Sequence, residues 1–463
     1  MFRELNSFLN YCINKKVAFI GIGVSNFKAI VMFLKKGINV TVLDRKSEAE
    51  LGVKANILKE AGAKFICGEN YLSNILNFNI VIRSPGVYFN CNMLQNAIKK
   101  GVVVTSEMEL FFDFCPCKII AITGSDGKTT TTTIIASILK QEGFNVHVGG
   151  NIGKPLLCEL QNINRDDVCV VELSSFQLLS MRKSPDIAVI TNISKNHLDV
   201  HKSMDEYIKA KQNIFIHQNA FSKVILNLDS NICCCFENYA RGFVEKFSMK
   251  GKVLNGAFYD EDSRNLYSAK NGEYEKILSS NDIKLLGTHN IENFLAAIAA
   301  TFNMASSNSI KKVAKEFKGV KHRLELIKSS DNIYWYNDSI ATTPTRTIAA
   351  LNSFKNDIIL IAGGYDKKVP FDGLITEILK KVKTLILMGA TANKIENGIK
   401  NNSNFRNNFN ILKARSVNDA VVKAKEIAKR GDVILFSPAC ASFDMYNNFE
   451  ERGEDFVNSV LKL

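Results

Sequence analysis

The stretch Ile122-Thr-Gly-Ser-Asp-Gly-Lys-Thr-Thr130 sets two glycines, a lysine and adjacent hydroxyls directly after an apolar run. Glycine lets successive backbone N–H groups turn toward one point, a following helix N-terminus adds partial positive charge, and lysine adds a full one. Such a loop holds phosphate. Gly124, Asp126, Gly127, Lys128, Thr129 and Thr130 form the candidate cradle, with the Thr129 hydroxyl available to Mg²⁺. A P-loop of the form G-x-x-x-x-G-K-[ST] asks for glycine at 122, where this chain has Ile122. Glu172 and His197 follow the next two apolar runs of the same region. Each alone is more often structural, but beside a phosphate loop they become candidate Mg²⁺ ligands, since Mg²⁺ prefers oxygen and accepts imidazole.

A second glycine turn, Gly21-Ile-Gly23-Val-Ser25-Asn26 with Asp44 downstream, is similar to a dinucleotide fingerprint in which Asn26 replaces the third glycine. Either a tight strand-to-helix turn or a nucleotide site fits it. Arg83-Ser84-Pro85-Gly86 would end a strand at the same sheet edge. Polar groups also punctuate the rest of the chain: Asn290 and Asn293 after Gly287, His322-Arg323, Asn337-Asp338-Ser339, Gly363 to Lys367, Ser437 to Ser442, and Phe449 to Gly453. Each lies at a predicted strand end or helix start, where α/β sheets gather ligands.

The elements that must position these groups are short apolar strands separated by helix-length segments, the pattern of parallel sheets covered on both faces. They fall in three sets, beginning with 16–22 and 40–43, with 119–123, 168–173 and 187–193, and with 333–337, 358–363, 385–389 and 433–437. The fold class is therefore α/β with three domains: a Rossmann-like domain over 1–113, a central P-loop mononucleotide-binding domain over 114–318, and a second Rossmann-like domain over 319–463. Residues 220–285 read as strands and turns inserted in the middle domain.

A length of 463 residues exceeds what one core supports. The formal charge of +13 is dispersed, with no basic block or interleaved aromatics, so no nucleic-acid partner is expected. No apolar run approaches the roughly 18 residues of a membrane span, and the N-terminus lacks a signal-peptide core. The eleven cysteines show no C-x-x-C spacing and read as reduced, mostly buried thiols of a cytoplasmic protein.

Taken together, these motifs resemble the Mur ligase family across the whole chain. The variant loop Thr-Gly-x-x-Gly-Lys-Thr-Thr matches that family without a glycine at 122, and the run SPACASFDMYNNFEERG (437–453) resembles its D-glutamate-adding branch. The resemblance implies an ATP-dependent amide ligase that joins D-glutamate to UDP-MurNAc-L-Ala through an acyl phosphate. It implies ATP phosphates on the 124–130 loop, two Mg²⁺ ions near Thr129, Glu172 and His197, and a carbamylated Lys211 as a further metal ligand. Asn290, Asn293, Arg323 and Asp338 would hold the nucleotide. Ser25, Asp44, Arg45, Ser84, Gly86 and Asn151 would hold the UDP substrate, and Thr342, Lys367, Ser442 and Phe449 the D-glutamate. Lys128, His197 and Lys211 would be catalytic, and a monomer in the cytoplasm is expected. The chain departs from the family where Ile340 stands in place of a common lysine, which shifts cationic duty toward Lys367 or Lys368. A nicotinamide-dependent dehydrogenase, a silent precursor sensor and a ligase for another amino acid are the competing readings.

Overall fold

The structure, a computed structural model, describes residue 2 and residues 4–463 except 195–200, 286, 355, 368 and 407. Its strands form three sheets. The first contains β1 (Val17–Ile20), β2 (Val40–Asp44), β3 (Lys64–Cys67), β4 (Ile80–Arg83) and β5 (Val103–Ser106) in the order β3-β2-β1-β4-β5, all parallel. Ile20 of β1 is in register with Leu43 and Arg83, so Gly21, Asp44 and Ser84 leave the sheet side by side.

The second sheet comprises β6 (Lys118–Thr123), β7 (Val146–Gly150), β8 (Val168–Glu172), β9 (Ile187–Ile190), β10 (Lys223–Asn227), β11 (Phe243–Ser248), β12 (Gly256–Asp260), β13 (Asn265–Lys270) and β14 (Glu273–Ser279). Its order is β14-β13-β12-β11-β10-β9-β6-β8-β7. Residues 223–279 are thus a continuation of the central sheet, not an irregular insertion. β10, β11 and β12 extend it in parallel, and the hairpin strands β13 and β14 finish it antiparallel. The first four residues of β14, Glu273 to Lys276, are exposed and three of them are charged, which hides the strand from a search for continuous apolar runs.

The third sheet holds β15 (Glu325–Ser330), β16 (Ile333–Asn337), β17 (Ile358–Ala362), β18 (Val382–Leu387), β19 (Asn410–Lys413) and β20 (Val433–Phe436), ordered β15-β16-β20-β17-β18-β19. Only the edge strand β15 runs antiparallel among the described pairs.

The chain divides into two units. One comprises Met1–Lys284 with Thr288–Glu316, and the other Leu285–Gly287 with Phe317–Leu463. In the first unit a single apolar cluster runs from Phe8, Phe19 and Phe33 through Phe111 and Phe112 to Leu226 and Phe236, so the first two sheets share a core. Each fully buried Ile, Leu or Phe of this cluster contributes about 1.5–3 kcal/mol. Polar contacts reinforce it: the buried Arg83 donates to Phe176 O at 3.2 Å and Ser180 Oγ at 3.0 Å, and Asn90 and Tyr88 both bond Glu206. No helix among the described residues is long and apolar enough to cross a membrane.

Candidate active site

β6 delivers the phosphate loop. Strand register places Ile122 beside Glu172 and Thr123 beside Ile190, so the loops after β6, β8 and β9 open at one edge. Gly124 and Gly127 adopt φ of +153° and +78°, and Gly127 begins the Lys128–Glu142 helix with no side-chain cap. A Cβ on Gly124 would collide with Thr191 and one on Gly127 with Asn293, so the cradle admits only glycine there. The exposed N–H groups at an uncapped helix start, with no side chain filling the hollow, fit a phosphate chain.

Around this loop the side chains are mutually held. Lys128 Nζ donates to Gly124 O (2.9 Å) and Ser125 O (2.8 Å). Thr129 Oγ1 donates to Glu172 Oε2 at 2.7 Å, and Asn151 Nδ2 to Glu172 Oε1 at 2.8 Å. The hydroxyl and carboxylate form a hard-oxygen pair beside the phosphate cradle, the donor chemistry Mg²⁺ favours. Asn151, grouped by resemblance with the first-domain residues, here lies after β7 with its amide committed to Glu172. Thr131 Oγ1 donates to Asn293 Oδ1 (3.2 Å), and Asn293 Nδ2 to Asn290 Oδ1 (3.1 Å), which puts both asparagines of the Thr288–Thr301 helix against the loop. Thr130 is buried in the Lys128–Glu142 helix, and Asp126 stands exposed with its N–H on Asn192 Oδ1. His197 lies outside the described residues.

Lys211 is buried on the Met204–Gln212 helix, with Nζ donating to Gly124 O at 2.7 Å and Thr123 Oγ1 at 3.2 Å. Burial, then the neighbouring Lys128 ammonium, push its pKa well below the ordinary lysine value. Two neighbours, Tyr207 and His201, escaped the sequence reading. Tyr207 sits one helical turn before Lys211 under its ammonium, bonding Ser125 Oγ at 3.0 Å, and the buried His201 ring bonds Ser175 Oγ at 2.9 Å. The i, i+4 spacing of Tyr207 and Lys211 was the one signal available for Tyr207.

At the edge of the first sheet, Asn26 answers for the missing glycine. Its buried amide donates to Ile20 O (3.0 Å) and Gly21 O (2.9 Å), pinning the turn with a side chain. Asp44 Oδ1 accepts from Lys46 N, Ser84 Oγ accepts from Gly86 N, Ser25 is half-buried near Arg83, and Arg45 is exposed.

In the second unit, register aligns Asn337, Phe436 and Ile361, so the loops after β16, β20 and β17 are neighbours. Asp338 is buried, accepting from Ser437 Oγ (2.7 Å) and Leu324 N (3.3 Å). Burial raises its pKa from the ordinary 3.8 to about 7, against the lowering effect of those bonds and of Arg323 and Arg346. A carboxyl protonated more readily when folded adds stability below its unfolded pKa and loses it as pH rises through the folded value. The parent is therefore expected to lose melting temperature relative to Asp338→Asn from pH 4 up to about 7, and to run parallel above. Parallel curves throughout would refute the shift.

Lys367 Nζ donates to Thr342 O at 3.4 Å, and Arg346 Nη1 to Ile340 O at 3.1 Å. A guanidinium thus borders the position where the family lysine is absent; Lys368 lies outside the described residues. Phe449 opens the Phe449–Leu461 helix, and the buried Ser442 carbonyl accepts from Met445 and Tyr446 N–H groups. The buried Arg452 spans Ser339 O (2.8 Å), Cys440 O (3.1 Å) and Ala441 O (3.0 Å), so it holds the loops in place. Gly453 faces the His322 ring, which is fixed by Asn337 at 2.9 Å, and an added Cβ would strike it. Gly453→Ala should cost about 1–3 kcal/mol of overpacking strain, measured by denaturant unfolding.

Family models match three intervals: the MurD-like N-terminal domain of Mur ligases over 15–106, the Mur ligase middle domain over 122–301, and the glutamate ligase domain of Mur ligases over 322–440. The chain is 46% identical over 464 residues to the UDP-N-acetylmuramoylalanine–D-glutamate ligase of Clostridium tetani, with 100% of each covered. It is 47% identical to the same-named protein of Acetivibrio thermocellus, with 99% of each covered. Among solved structures, the UDP-N-acetylmuramate-alanine ligase of Thermotoga maritima matches with a TM-score of 0.56 at 18% identity, covering 97% of this chain and 100% of that one. With the phosphate loop, the three sheets and full-length likeness all agreeing, the chain belongs to the Mur ligase family.

Proposed function

We propose that this chain joins D-glutamate to UDP-N-acetylmuramoyl-L-alanine, driven by ATP, in the assembly of the peptidoglycan precursor. The observation that carries this is the gathering of Lys128, Thr129, Glu172 and the buried Lys211 around one phosphate loop. Full-length identity to relatives bearing that activity in their names supports the choice of acceptor. The alanine carboxylate oxygen attacks the γ-phosphorus and ADP leaves. The D-glutamate nitrogen then attacks the acyl phosphate carbon, inorganic phosphate leaves, and the nitrogen loses a proton to solvent.

Thr129, Glu172 and a carbamylated Lys211 would hold Mg²⁺, which would supply charge neutralisation on the phosphates. The loop N–H groups orient the triphosphate, and Lys128 offsets the repulsion between phosphate and carboxylate as charge shifts in the transition state. The edge of the first sheet, with Ser25, Asp44 and Ser84, takes the UDP group. Asp338 and Arg323 serve the nucleotide, and Thr342, Ser442 and Phe449 border D-glutamate. Arg346 and Lys367 share the cationic role that Ile340 gives up. The enzyme acts as a monomer in the cytoplasm, where both nucleotide substrates are held.

Phosphate release with UDP-MurNAc-L-Ala and a panel of D- and L-amino acids tests the reaction. Release with D-glutamate alone is expected; release with an L- or diamino acid instead overturns the acceptor. Arg346→Ala should raise the KM for D-glutamate by roughly 10- to 100-fold with that for ATP unchanged, the loss of a charge-assisted contact.

A further inference from the structure

At the other end of β6 from the phosphate loop, three thiols from two distant parts of the sequence meet. Cys115 follows the Glu107–Phe114 helix, Cys117 precedes β6, and Cys169 lies in β8 in register with Ile119. Their sulfurs stand 3.7 Å (Cys115–Cys117), 3.8 Å (Cys115–Cys169) and 3.5 Å (Cys117–Cys169) apart. All three are free thiols, at separations far beyond the roughly 2.05 Å of a disulfide. Three sulfurs around a tetrahedral zinc ion, each at about 2.3 Å, would lie roughly 3.8 Å from one another.

We infer that Cys115, Cys117 and Cys169 form a binding site for one thiophilic divalent cation of the zinc class, with three thiolate ligands and a fourth position open. Among the described residues this is the one group of three ligating side chains close enough to share an ion. Cys117 and Cys169 are buried and Cys115 is half-buried, which leaves an entry side. Binding exchanges three S–H protons, released to solvent, for three metal–sulfur bonds, leaving a complex of net charge −1. The Lys183 ammonium, anchored on Phe112 O at 2.6 Å, is a nearby counter-charge. The thiol contacts already bias the group: Cys117 and Cys169 pull the Cys115 pKa down, while the pKa values of those two rise. Soft sulfur ligands exclude Mg²⁺, so the site is chemically separate from the phosphate loop. An ion there would tie the last helix of the first domain to two strands of the central sheet.

The test titrates Co²⁺ into the reduced, metal-free full chain in the presence of excess Mg²⁺ and reads sulfur-to-cobalt charge transfer. One equivalent should develop the thiolate band, and zinc should displace it. Cys115→Ser/Cys117→Ser should weaken binding at least about tenfold, with an unchanged melting temperature of the metal-free chain showing that it folds. Cys234→Ser/Cys235→Ser, which removes two adjacent thiols at the end of the Asn231–Cys235 helix, should leave the band intact. Absence of a thiolate band in the parent, or a full band in the folded Cys115→Ser/Cys117→Ser chain, overturns the site.

Discussion

Lys128→Ala should lower kcat by roughly 10²–10³-fold, the loss seen when a preorganised charge facing a transition state is removed. The ammonium already lies within the loop, bonded to Gly124 O and Ser125 O, so its placement does not wait on other chain elements. A phosphate arriving on the loop's N–H groups meets that charge at once. The expected split is therefore a large kcat loss with little change in affinity for the UDP substrate, which the proposed function assigns to the first sheet. Lys128→Arg should not restore the rate, because a planar fork cannot occupy the space of a compact ammonium. Single-turnover phosphate release measures it; a kcat within about threefold of the parent would remove the loop from phosphoryl transfer.

The second large effect concerns Lys211. Burial and the Lys128 charge hold its amine well below the ordinary pKa, which favours the neutral form over the ammonium. A neutral amine adds to CO₂, giving a carbamate and a proton, and under the proposed function that carbamate would offer oxygen to Mg²⁺. Lys211→Ala should lose at least about 10²-fold in kcat and recover part of it with added formate or acetate. A failure of every short carboxylate to rescue a folded Lys211→Ala chain argues against the carbamate. Stability separates this loss from misfolding. A lysine whose folded pKa is depressed contributes its full stability only above the unfolded value of 10.5 and loses it as pH falls. At pH 7 in CO₂-free buffer, Lys211→Met should therefore melt no lower than the parent.

Much of the site was legible because its signals are local. Glycines at 124 and 127 mark the backbone's left-handed turns, the run from Lys118 to Thr123 marks a buried strand, and their succession announces a phosphate loop. Glu172 and the 191–194 loop could be guessed from strand ends alone, since parallel strands release their loops at one edge. Lys211 could not: a lysine on a helix looks like a solvated charge, and its place in the site came from resemblance. Residues 223–279 were legible as strands and turns but not as part of the central sheet, because an antiparallel edge with charged positions lacks the continuous apolar run of a central strand.

By itself, then, the sequence determined the α/β class, the phosphate loop and the family, all carried by short-range patterns of glycine, β-branched residues and motif spacing. Only the tertiary structure decided that Asn26 pins the first turn, that Arg346 stands beside Ile340, that Arg452 is a buried latch, and that Cys115, Cys117 and Cys169 touch. The physical reason is strand register: pairing Ile119 with Cys169 joins positions fifty residues apart, a relation that no local periodicity encodes.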